Sequence, residues 1–116
     1  MKNTSRAALL SVLVVSLSGC FNLATKSAEI TPSYTSDLRY EAYECPRLAI
    51  ELNTLARRED QLVVAQDSRR KSSKLQAFWL GFGQGDGVEA SELANVRGEK
   101  EAVRKAMDVK TCDVKS

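Results

Sequence analysis

The sequence predicts an all-α fold: a two-helix antiparallel hairpin closed by a disulfide, on a flexible N-terminal tether. Three observations predict it. Apolar residues recur at alternating steps of three and four in two separate segments, the spacing of one helix face. A glycine-rich stretch over residues 81–87 separates those segments. The flanking cysteines, Cys45 and Cys112, fall where such a hairpin brings its ends together.

The chain begins with a three-part leader. Lys2 and Arg6 supply positive charge, and Ala7 to Leu17 form an apolar run of eleven residues. A membrane-spanning helix takes roughly 20 apolar residues, so this run predicts a cleaved signal. Leu17-Ser18-Gly19-Cys20 follows directly. It resembles the lipobox of bacterial prolipoproteins. The resemblance implies a diacylglyceryl thioether on Cys20, cleavage before it, and acylation of the new N-terminus. A thiol is needed because the thioether is a stable link. Small residues before it let the peptidase reach the backbone. The alternative is an ordinary secretory signal that happens to end in a cysteine. Each buried methylene contributes about 0.8 kcal/mol and one chain binds marginally, whereas two or three hold almost permanently. Phe21, not aspartate, follows the cysteine. By resemblance to the enterobacterial sorting rule, this favours the outer membrane, facing the periplasm, over the inner membrane.

Four regions result: a signal peptide (1–19), a lipidated cysteine with a flexible tether (20–44), the hairpin (45–112) and a short tail (113–116). Cleavage removes 19 of the 116 residues and leaves 97, enough for one small domain. Two of the 17 Lys and Arg lie in the leader, so 15 face 15 Asp and Glu in the mature chain. That balance and the exported address remove the basis for nucleic-acid binding. Cys45 and Cys112 would lie in an oxidising compartment, where one bridge is the simplest pairing. A zinc site is the alternative, but two thiols in a chain without histidine fall short of a normal ligand set.

Residues 21–36 are polar and aperiodic, as a tether should be. Tyr34, Tyr40 and Tyr43 follow, in a stretch able to dock on the domain. Pro46 suits a first helical turn, so the first helix begins near it. Its seam is Cys45, Leu48, Leu52, Leu55, Glu59, Leu62 and Gln66. It is expected to end between Ser68 and Lys74. Asp86 and Glu89 have the spacing of a capping box, placing the second helix start at Asp86. Its seam is Leu93, Val96, Lys100, Val103 and Met107, with fraying by Asp108. Antiparallel pairing sets Leu48 against Met107, Leu52 against Val103 and Leu62 against Leu93. The residue numbers of each pair add to one total, and those of Cys45 and Cys112 come within two of it.

The pattern Tyr40-x4-Cys45-x2-Leu48-x2-Glu51, Ala65-Gln66-Asp67, Phe78-Trp79, Leu93-Ala94-x2-Arg97-Gly98-Glu99 and Cys112 resembles a group of small bacterial lipoproteins without established function. In that group the stretch around Phe-Trp is longer and apolar, often with proline. Here it is short and glycine-rich, so no membrane role is carried over. The group supplies no catalytic residues.

No catalytic constellation is visible. General acid–base work would fall to carboxylates, lysine or tyrosine, and Glu89, Glu92, Glu99 and Glu101 read as a solvated helix face. The alternating glycines Gly81, Gly83, Gly85 and Gly87 follow no strand, so they read as a turn and not as a phosphate cradle. Glu59 and Lys100 occupy the polar gap in the seams, either paired across the hairpin or turned to solvent. Arg69, Arg70, Lys71 and Lys74 precede Phe78 and Trp79, and this cluster is the candidate contact site. Cations beside aromatics suit an anionic membrane interface or a protein groove. Alternatively Phe78, Trp79, Leu80 and Phe82 cap the hairpin's apolar end while the cations sit in water. A tether of 24 residues, 21–44, would reach about 80 Å when extended. The tip would then project away from the anchoring membrane.

The expected function is a lipid-anchored envelope protein with a structural or accessory interaction role and no catalysis. The alternative is an exclusion lipoprotein of a phage or plasmid that binds an incoming component. The expected partners are the membrane, through the lipid, and an envelope protein or a second copy of the chain. No metal and no cofactor beyond the covalent lipid is expected.

Overall fold

The computed structural model describes residues 22–112. The expected signal peptide over 1–19, Cys20, Phe21 and the tail over 113–116 lie outside them. Two long helices form the hairpin, α1 (Cys45–Leu80, 36 residues) and α2 (Val88–Val109, 22 residues), with no strand among the described residues.

Helix α1 starts where the sequence places it. Pro46 lies in the first turn, where an amide hydrogen would have no intrahelical acceptor. The helix runs past Lys74 because neither proline nor glycine interrupts it before Gly81. Gly81 then takes the left-handed conformation (φ 81°) and donates its N–H to the Ala77 carbonyl, a common helix stop. Helix α2 departs from the expected capping box. Its N-cap is Gly87, with no side-chain cap. Asp86 is drawn instead to Thr25 and Gln66, and Glu89 to Arg69.

The core is the seam between the helices. Leu48, Leu55 and Leu62 of α1 cluster with Leu93, Val96, Val103 and Met107 of α2. Leu52, half-buried, packs against the cluster. Burying each such side chain contributes roughly 1.5–3 kcal/mol. Ion pairs mark the antiparallel register on either side: Arg58 to Glu92 at 2.7 Å and Glu59 to Arg97 at 2.8 Å. At the open end Cys45 and Cys112 are joined in a disulfide with a Cα–Cα distance of 5.6 Å. The zinc alternative for these two thiols is thereby set aside.

Residues 22–44 differ from the flexible tether expected of them. They form a strap along the hairpin, with 3-10 turns at Ser27–Glu29 and Asp37–Tyr40. Ala24 and Tyr40 are buried, at 0% and 1% exposure. Ser33 donates its backbone N–H to the Ala94 carbonyl at 2.9 Å. The physical reason lies in α2. Gly98, Ala102 and Ala106 recur at steps of four, giving one face almost no side-chain bulk. A Cβ at Gly98 would lie 1.9 Å from the Ser33 carbonyl oxygen, so glycine is what admits the strap. Tyr40 then fills the groove beside Ala102 and Ala106. Polar composition hid this docking, because the strap is held largely through its backbone.

Among the described residues no helix is long and apolar enough to cross a membrane.

Candidate functional site

The end of the hairpin opposite the disulfide holds the predicted contact cluster. The last turns of α1 have two different faces. Gln66, Ser73 and Ala77 are buried, and these positions lie on one side of a helix. Lys71, Leu75, Phe78 and Trp79 fall on the other side by the same periodicity.

The buried side is a polar knot that holds the start of the strap. The Ser73 hydroxyl donates to the Asn22 carbonyl and accepts from the N–H groups of Ala24 and Gln84. Gly85 donates its N–H to the Asn22 carbonyl at 2.8 Å. A Cβ at Gly83 would collide with Ser73 and Asn22, so this glycine makes room for the strap. The amides of Gln84 and Gly85 are thus committed within the fold, which argues against the phosphate-cradle reading. Gln66 donates to the Thr25 carbonyl at 2.8 Å and to Asp86 at 2.9 Å. Asp86 also accepts from the Thr25 N–H at 2.6 Å and the Thr25 hydroxyl at 2.5 Å. Partial burial pushes the Asp86 carboxyl up, but the bonds from Thr25 and Gln66 and the charge of Arg69 hold it below the usual aspartate range.

The six candidate contact residues divide. Arg69 turns inward and chelates Glu89 at 2.9 and 3.3 Å. Arg70 donates to the Ala24 carbonyl at 2.7 Å. Both cations therefore secure the fold. Lys71 and Lys74 are exposed and pair with no described carboxylate. Phe78 and Trp79 stack edge to face, with centroids 5.3 Å apart. They are 79% and 74% exposed, so the capping alternative fails. Leu75, Leu80 and Phe82 are exposed beside them in sequence. The hairpin core ends below this tip.

The tip does not stand apart from the start of the strap. Asn22 is bonded to Ser73 and Gly85 at this same end. The strap runs from the tip back toward the disulfide, which corrects the expected geometry. Sequence spacing carried no sign of it.

A second polar cluster lies midway along the hairpin. Glu59 pairs with Lys100 and with Arg97, which settles the Glu59–Lys100 alternatives in favour of pairing. Burial pushes the Glu59 carboxyl up, and the bonds from Lys100 and Arg97 outweigh it and hold the group low. Arg97 also donates to the Ser27 and Ile30 carbonyls, so it ties the strap to the hairpin. Sequence reading missed that role. Its only signal was the three-residue step from Arg97 to Lys100, opposite Glu59.

Among the described residues no three metal-ligating side chains are grouped to hold an ion. Cys20 lies outside them. No protein-family model matches the chain, and neither a curated protein nor a solved structure does. The tip presents apolar area and two cations on flexible stems.

Proposed function

We propose that this chain is a lipid-anchored protein of the bacterial cell envelope with a structural or accessory interaction role and no catalysis. The observation that carries this reading is Leu17-Ser18-Gly19-Cys20, directly after an apolar run too short to span a bilayer. The Cys45–Cys112 disulfide supports it, since such bridges persist in oxidising compartments outside the cytosol. Phe21 after the cysteine favours the outer membrane, facing the periplasm. The membrane is the first partner, through acyl chains on Cys20.

The test is metabolic labelling with palmitate. The natural chain is expected to take up label and to lose residues 1–19. Cys20→Ala should abolish the label and leave the leader uncut by the lipoprotein signal peptidase. Normal labelling of that variant would overturn the reading.

A further inference from the structure

We infer that the tip, formed by Lys71, Lys74, Phe78, Trp79, Leu80 and Phe82, seats in the interface of the same bilayer that receives the acyl chains of Cys20. This rests on the lipid-anchor reading and adds a second membrane contact to it.

The position of the strap carries the inference. Asn22 is bonded at the tip through Ser73 and Gly85. Cys20 precedes it by two residues, so its Cα lies within about 7 Å of that of Asn22. An α-helix with its side chains is about 10–12 Å across. A lipid on Cys20 therefore brings the membrane surface to the exposed aromatics. Tethering makes the contact effectively intramolecular, so a weak apolar surface suffices. A separate protein partner would have no such advantage.

The residue types fit this occupant. Tryptophan and other amphipathic aromatics settle at membrane interfaces, and Phe78 and Trp79 are both mostly exposed. Residues 68–85 contain four Lys and Arg and no Asp or Glu. Arg69 and Arg70 are held by the fold, which leaves Lys71 and Lys74 to meet anionic headgroups. Their stems can lie along apolar surface while the ammonium groups stay in water. With the tip seated, the disulfide end lies about 50 Å further along the hairpin.

Trp79 is the single tryptophan, so its fluorescence reports this site alone. The full acylated chain would be purified from membranes and reconstituted in phosphatidylethanolamine–phosphatidylglycerol vesicles. The expected result is emission at shorter wavelength, strong quenching by lipids brominated on the acyl chains, and iodide quenching several-fold below that of a free tryptophan analogue. Lys71→Glu with Lys74→Glu should weaken the bromine quenching without altering thermal unfolding. Unchanged bromine quenching in that double variant would overturn the role of the cations. An acylated chain that stays on the vesicles while iodide quenches Trp79 freely would overturn the seating. So would protection from both quenchers that grows with protein concentration, which would place the tip against a second copy. The mass of the Cys20 peptide separates the two readings. Acyl mass with a water-exposed Trp79 sinks the tip inference alone, and absence of acyl mass sinks the anchor.

Discussion

Replacing both Cys45 and Cys112 by alanine is expected to lower stability by about 4 kcal/mol. The bridge joins residues 67 apart in sequence. On the chain-entropy view, a crosslink over a loop of that length stabilises by roughly this amount, mainly by restricting the unfolded chain. The effect is large here because the core is narrow. It is a single seam of aliphatic side chains between two helices, with Tyr40 beside it, and small domains of this kind bury little apolar surface. The bridge also pins the first residue of α1 to the chain just past α2, where helix ends would otherwise fray. Denaturant unfolding of the detergent-solubilised protein, followed by helical circular dichroism, provides the measurement. A loss below about 1 kcal/mol would mean that closure contributes far less than the entropy argument requires.

Arg97→Ala should be the costliest change to a polar side chain, at about 3 kcal/mol, given about 1.5–3 kcal/mol for each hydrogen bond involving a charged group. The guanidinium makes three such bonds, to Glu59, Ser27 and Ile30, at 2.8, 2.7 and 2.6 Å. Residual solvent access at this site keeps the total well below their sum. Truncation would leave the Ile30 carbonyl without its side-chain donor, the Ser27 carbonyl with only the Ile30 N–H, and Glu59 with Lys100 alone. Arg97→Lys should recover only part of the loss, because one ammonium cannot reproduce the planar fork. Unfolding midpoints for both variants, combined in a cycle with Glu59→Gln, separate the ion pair from the strap contacts. A lysine variant as stable as the natural protein would show that charge alone matters.

The hairpin was legible because its information is periodic. Leucines and valines at steps of three and four specify the seam, and Cys45 and Cys112 agree with its register. The end of α1 was read too early, between Ser68 and Lys74, whereas the helix continues to Leu80 and stops at Gly81. The strap was not legible, because many of its anchors are backbone groups and because its groove is marked only by Gly98, Ala102 and Ala106, which look like ordinary helix composition. Asp86 and Glu89 misled for a related reason. Their spacing fits a local cap, yet long-range partners, Thr25, Gln66 and Arg69, hold both carboxylates. The contact cluster was half legible. Residue types pointed to Phe78 and Trp79, but only the fold shows that Arg69 and Arg70 face inward.

The placement of Asn22 beside the tip depends on the strap, and hydrogen exchange tests it most directly. The amides of Thr25, Ser33 and Gly85 donate to Asp86, Ala94 and Asn22 respectively. They are expected to exchange orders of magnitude more slowly than in an unstructured peptide. If residues 22–36 instead exchange at the unstructured rate while α1 and α2 stay protected, the segment is a free tether and the tip has no fixed place beside Asn22.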